Sequence, residues 1–188
     1  GLGYKVDALA VNGGTLFVGG LFTEAGGTPA NYIAKWDGSQ WSALGAGLNN
    51  YVNTMAASGT NLYAGGLFTE AGGQAASHVA KWDGSQWSPL GDGVNDRVWG
   101  SAIDGSTVYF GGNFTQAGGL TANRIAAWDG TGWSTLGSGL DGVVFPVVLT
   151  GGYIYVGGGF TAAGSKPSYY FARYSPPTPS LRAVGDLD

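Results

Sequence analysis

The chain of 188 residues has no cysteine, one histidine, one methionine and few charges, 11% of the total. Each shortage removes a class of function. Without cysteine there is no disulfide, no thiol nucleophile and no Cys-ligated metal. One histidine, His78, cannot supply the imidazoles of a zinc or copper centre and leaves little for a Ser-His-Asp constellation. Lys and Arg number eight, scattered along the chain, against twelve Asp and Glu, for a net charge of −4. A phosphate-binding surface needs clustered cations, so nucleic acid is not an expected partner. No apolar run approaches the roughly 20 residues of a membrane-spanning helix, and no charged-then-apolar leader opens the sequence. The low charge and the Gly/Thr/Ser/Asn-rich surface favour export, so the expected location is extracellular or on the cell surface.

What the chain has is glycine, 37 residues, together with seven tryptophans and 13% aromatics. Disordered glycine-rich chains lack such apolar mass. Glycines with regularly placed aromatics predict short strands joined by tight turns.

The regularity is a period of 46 residues. Gly19-Gly20 recurs as Gly65-Gly66, Gly111-Gly112 and Gly157-Gly158; Phe22-Thr23 recurs as Phe68-Thr69, Phe114-Thr115 and Phe160-Thr161. Trp36 returns as Trp82, Trp128 and Tyr174, and Trp41 as Trp87 and Trp133. The strings LFTEAGG and AKWDGSQWS are identical in the first two repeats. Each repeat reads as four strands: A (VDALAVN), a Gly-Gly turn, B (TLFVGGLFT), a loop (EAGGTPAN), C (YIAKW), an Asp-Gly turn of type I′, and D (QWSALG). No stretch has helical periodicity with caps. Four short antiparallel strands in each 40-to-50-residue repeat make a β-propeller blade, and the chain is predicted to be an all-β propeller of four blades, about 1–46, 47–92, 93–138 and 139–188.

The string LYAGGLFTEAGG…HVAKWDGSQWSPLG resembles a kelch-type blade. It is closer still to the glycine-rich repeats VGGxFTxAGG…IAxWDGxxWSxLG of bacterial surface and secreted propellers and of fungal cortical polarity markers. The resemblance covers the whole chain and implies a propeller, while leaving binding, scaffolding and enzymatic roles open. The kelch-like enzyme that oxidises galactose needs a Tyr–Cys crosslink and two histidines, which this chain cannot build. Sialidase-type propellers carry Asp-x-Gly-x-x-Trp boxes and an arginine triad; here Asp adjoins Gly, and Arg97, Arg124, Arg173 and Arg182 fall at unrelated repeat positions. Glu24 and Glu70 become Gln116 and Ala162, which argues against a repeated metal ring. No enzyme activity, cofactor or metal is expected.

The fourth repeat breaks pattern after Tyr174. SPPTPS then LRAVG replaces DGSQWSALG, and reads either as a poor strand D without its Trp or as an exit linker. Four blades leave two apolar end faces that soluble chains do not keep wet, so the blades are expected to close on themselves, to pair with a second copy, or to belong to a longer chain. Closure as a four-bladed ring is the expectation for this chain.

Positions that differ between repeats are free for recognition. They fall in the D-to-A connections at 2–5, 48–51, 94–97 and 140–143, and in the B-to-C loops. Both open on one face of a blade, which is expected to gather Tyr4, Tyr32, Tyr51, His78, Asn95, Arg97, Trp99, Arg124, Tyr169 and Tyr170. Tyr, Trp and Arg dominate binding hot spots. The repeated Trp36 and Trp41 positions read as packing between blades. The weak fourth blade is expected to leave strand C unpaired, making Tyr170, Arg173 and Tyr174 an assembly edge, with residues 175–188 sharing in subunit contacts. The expected function is a non-enzymatic module for contact with a protein partner or with itself; the alternative is a propeller lectin that binds glycans.

Overall fold

Runs of β-branched and aromatic residues punctuated by glycine pairs favour extended backbone. In the computed structural model, which describes residues 1–175 and the backbone of 181–183, only strands and turns occur. Among the described residues there is thus no helix long and apolar enough to cross a membrane. Each repeat forms one antiparallel sheet in the order A-B-C-D. Strands A are Lys5–Asn12, Val52–Ser58, Val98–Asp104 and Val144–Thr150; strands B are Thr15–Leu21, Asn61–Gly66, Thr107–Gly112 and Tyr153–Gly158. Strands C are Ile33–Trp36, Val79–Trp82, Ile125–Trp128 and Phe171–Tyr174; strands D are Trp41–Ala43, Trp87–Pro89, Trp133–Thr135 and Leu181–Ala183. The sheet order and repeat length make each one a propeller blade.

The glycine doublet of strand B has two separate causes. A Cβ on Gly20, Gly66, Gly112 or Gly158 would lie 2.2, 2.0, 2.2 or 1.9 Å from the carbonyl oxygen of Lys5, Tyr51, Arg97 or Val143, where strand A bulges toward its partner. No side chain fits there. The glycine before it faces the next blade: a Cβ on Gly19 would lie 2.5 Å from Val52, and one on Gly111 2.4 Å from Val144.

The chain comprises two compact units, Gly1–Gly93 with blades 1 and 2, and Val94–Asp188 with blades 3 and 4. In the first, Ala8, Ile33 and Leu44 of blade 1 pack on Val52, Met55, Leu62, Phe68, Trp82 and Trp87 of blade 2. In the second, Tyr109, Ile125 and Leu136 of blade 3 pack on Val144, Val147, Ile154 and Phe160 of blade 4. The C–D hairpin pairs Trp36 with Trp41, Trp82 with Trp87 and Trp128 with Trp133, ring centroids 5.3, 5.6 and 5.4 Å apart. Trp87 is 3% exposed and its indole N–H donates to the Leu44 carbonyl of blade 1 at 2.8 Å.

Two local expectations are corrected. The Asp-Gly turn is not a two-residue type I′ turn. Four residues, Asp37 to Gln40, separate the paired Trp36 and Trp41, and only Gly38 has positive φ (100°). Asp37 Oδ1 accepts from the Ser39 N–H, the Ser39 hydroxyl and the Gln40 N–H at 2.8, 2.7 and 2.9 Å, and Asp83 and Asp129 repeat the arrangement. This is an Asx turn, chosen for the acceptor and not for backbone handedness. Nor is strand C of blade 4 left unpaired: Ala172, Arg173 and Tyr174 pair with Ala183, Arg182 and Leu181. Backbone pairing needs no tryptophan, and the prolines lie before the strand and not in it. The row of free backbone groups expected at Arg173 and Tyr174 is therefore occupied, and Tyr174 is 8% exposed. The role expected of the tail lies, apart from Ser175 and strand D, outside the described residues.

Trp87→Ala is expected to destabilise the protein by about 3–5 kcal/mol, the cost of truncating a buried tryptophan. Denaturant unfolding that shows a loss below about 1 kcal/mol would contradict a packing role. The turn carboxylates give a second test. Asp37 and Asp83 are held down to about 2, first by the backbone N–H of Gln40 or Gln86, then by the Ser39 or Ser85 hydroxyl and N–H. A carboxyl depressed in the folded state adds stability that is complete above its unfolded value and lost as pH falls toward the folded one. Stability is expected to decline between pH 3.8 and about 2. Joint Asp37→Asn and Asp83→Asn substitution keeps the acceptor, removes the charge and should flatten that slope; an unchanged slope counts against the assignment.

Candidate functional site: the loop face of the blades

Within each blade the D-to-A connection and the B-to-C loop lie side by side. Single antiparallel bridges join Leu2 to Ala25, Leu48 to Ala71, Val94 to Ala117 and Leu140 to Ala163. A side chain reinforces three of them. Asn49 Oδ1 accepts from the Thr69 and Glu70 N–H groups at 2.9 and 3.1 Å while its amide donates to the Thr69 hydroxyl at 3.0 Å. Asn95 does the same to Thr115 and Gln116. In blade 4 the carboxylate of Asp141 takes over, accepting from the Thr161 hydroxyl and from the Thr161 and Ala162 N–H groups; these donors, the hydroxyl foremost, lower its pKa. Blade 1 has Gly3 at this position, and a cleft of about 270 Å³ opens there, lined by Gly3, Tyr4, Phe22, Thr23 and Tyr32.

The last residue of every B-to-C loop is a non-glycine in left-handed backbone: Tyr32, His78, Arg124 and Tyr170, with φ of 64°, 65°, 69° and 67°. That conformation costs an L-residue about 1–2 kcal/mol. Hydrogen bonds on both sides impose it. The Tyr32 N–H donates to Phe22 O at 2.7 Å and Tyr32 O accepts from the Gly20 N–H at 3.0 Å; His78, Arg124 and Tyr170 repeat both bonds. The preceding Phe22, Phe68, Phe114 and Phe160, at most 2% exposed, anchor the loop beneath. A chain with 37 glycines places none at these four positions. Large side chains stand where glycine costs least, and that is strain of the kind kept at sites that do something.

In the Val94–Asp188 unit one of these mounts, Arg124, joins a compact cation–aromatic cluster. The Arg97 guanidinium lies 3.7 Å over the Trp99 ring centroid. Trp99 donates its indole N–H to Asn113 Oδ1 at 3.0 Å and meets the Phe145 ring edge-on at 5.7 Å. Arg124 donates to the Asn113 backbone carbonyl, so Asn113 ties both arginine-bearing loops together. Phe145 is 45% exposed. Arg124 also lines a cleft of about 350 Å³, together with Asn123, Ser138 and Asp141. Its counterpart in the Gly1–Gly93 unit, about 320 Å³, is lined by Asn31, Tyr32, Gly47, Asn49 and Glu70.

The sequence candidates therefore separate. Tyr4 meets Tyr32 across a cleft, Arg97 and Trp99 join Arg124 through Asn113, and Tyr169 adjoins Tyr170 at 6.4 Å. Asn95 is spent on bracing its loop. His78 and Tyr51 are half-buried residues of the Gly1–Gly93 unit. Sequence reading missed Asn113 and the braces Asn49 and Asp141. The available signal was that Asn, Asn and Asp are the polar residues at one repeat position. Among the described residues no three His, Asp or Glu side chains converge to hold a metal.

No protein-family model matches the chain, and no curated protein matches it. Among solved structures it is similar to the computationally designed Ika4 protein, at 13% identity over 93% of each chain with a TM-score of 0.60. It is similar to the RRP9 WD40 repeats at 14% identity and TM-score 0.63, covering 97% of this chain and 51% of that one. A GH74 enzyme of Niastella koreensis gives 17% identity and TM-score 0.60, over 94% of this chain and 29% of that one. At these identities the likeness carries the fold, a β-propeller of four-stranded blades, and does not extend to the glycine-rich kelch-like family.

Tyr170→Gly should be more stable than Tyr170→Ala by about 1 kcal/mol, since both remove the same exposed ring and only glycine accepts the φ without strain. Equal stabilities in denaturant unfolding would remove the strain argument.

Proposed function

We propose that the chain is a non-catalytic module whose loop face seats a protein partner, with Arg97, Trp99, Phe145 and Arg124 as its anchor. The observation that carries this reading is the cluster itself: Arg97 and Phe145 against a Trp99 ring that Asn113 holds, with Arg124 mounted beside it in costly backbone. Trp and Arg with a rigid hydrogen-bonded support are the residue types that dominate protein contacts. Trp99 is half-buried and touches both Arg97 and Phe145. Against catalysis stand the carboxylates of lowered pKa, Asp37, Asp83, Asp129 and Asp141, each consumed in holding a turn or a loop. The likeness to WD40-repeat propellers accords with a contact role.

The test is a photo-crosslinking residue in place of Phe145, with the same residue at the exposed Thr60 in an A–B turn as control. A protein adduct is expected from position 145 and not from 60, and the added change Trp99→Ala should cut its yield at least tenfold, as loss of a hot-spot tryptophan does. Saturable binding on a glycan array that Trp99→Ala abolishes would replace this reading with the lectin.

A further inference from the structure

Each blade has two faces. In the Gly1–Gly93 unit the face of blade 1 bearing Ala8, Phe17, Gly19 and Ile33 meets the face of blade 2 bearing Val52 and Met55. At its centre is a socket: a Cβ on Gly19 would lie 2.5 Å from Val52 Cγ1 and 3.3 Å from Met55 Sδ. The Val94–Asp188 unit repeats the fit, with Gly111 as socket and Val144 and Val147, at 2.4 and 2.8 Å, as knobs. The repeat then places one more knob pair and one more socket at the two ends of the chain. Val6 and Leu9, one period before Val52 and Met55, are 37% and 64% exposed, and Val11 beside them is 71% exposed. Gly157, one period after Gly111, meets only Pro146 and the Tyr170 carbonyl of its own blade within 4 Å. Around it stand Val148, 51% exposed, and Phe171, 43% exposed and stacked on Tyr155 at 5.9 Å.

We infer that a second copy of this chain seats its blade 4 on blade 1 of the first, and the reverse, with Val6 and Leu9 entering the Gly157 socket. The interface is continuous with one the protein already builds twice, so its complementarity is that of a junction between neighbouring blades. Exposed contiguous apolar faces of this kind mark contact surfaces. The knob face and the socket face complement each other and not themselves, so the copies join head to tail, and the contact repeats until rotation closes it. Two copies supply eight blades, the upper end of the usual range of about four to eight for propellers; a third copy would exceed it. Trp41 adds a donor to the knob face. Its counterpart Trp87 donates to a carbonyl of the preceding blade, while among the described residues Trp41 has no such acceptor.

The contact uses a different surface from the loop face, so monomeric protein would leave the proposed function standing. Sedimentation of the 188-residue chain at high micromolar concentration should give twice the mass of one chain. Leu9→Glu should halve that mass, as should Val148→Lys; both residues are more than half exposed, and an unchanged thermal melt in dilute solution confirms that the variants fold. Mixing the two variants should restore the doubled mass, since one junction is then unaltered and the other pairs Glu with Lys. Wild-type protein at the mass of one chain overturns the proposal, whether its blades close within one chain or stay apart. So does a doubled mass that survives Leu9→Glu, or a mixture that stays at the mass of one chain.

Discussion

Two adjacent glycines in strand B hold the blade together, and they do so by being absent in two directions. One lets the bulged carbonyl of strand A approach to about 2 Å of where a Cβ would be. The other lets the next blade insert a valine. The strand-A bulge, the depth of inter-blade packing and the position of the B-to-C loop all follow from this close approach. A single methyl group at either glycine has no flexible side-chain end to displace at the first and a packed valine at the second, which is why the doublet is the most regular feature of the repeat.

Beyond the doublet, polar groups serve the loops and apolar groups serve the blade faces. The Asp of each C–D turn satisfies three donors of its own turn, and Asn49, Asn95 and Asp141 clamp the neighbouring loop. Few polar side chains remain with work to do inside the blades; Ser168 is the buried one among the described residues. Little charge is needed because the hydrogen-bonding groups are met by backbone and by short Asn, Asp, Ser and Thr side chains of the same blade's turns and loops.

Architecture was legible in the sequence because each blade repeats one pattern, and a period of 46 residues with aligned glycines admits few folds. The boundaries of strands A to D followed the same logic. Turn chemistry was less legible: Asp-Gly fits a type I′ turn and an Asx turn equally by composition, and the choice depends on the two further residues, Ser and Gln, that donate to Asp37. The fourth strand D was ambiguous because its pairing is made by backbone, which carries no residue signal. Variation between repeats pointed to the D-to-A and B-to-C loops, but not to which of their residues brace a loop and which stack on a ring. Asn95 and Arg97 are two residues apart and look alike as polar loop positions, and only geometry assigns one to Thr115 and the other to the Trp99 ring.

The left-handed residue at the end of each B-to-C loop separates the direction of a side chain from its identity. Its backbone is fixed by Phe22 and Gly20 or their repeats, so tyrosine, histidine and arginine leave the blade along the same Cα–Cβ vector. Chemistry can therefore change at one blade with no adjustment of the loop that carries it. Each repeat with such a mount carries one interchangeable fixture, 46 residues from the next. Duplication of the repeat copies the fixture, and a single codon then decides what it displays.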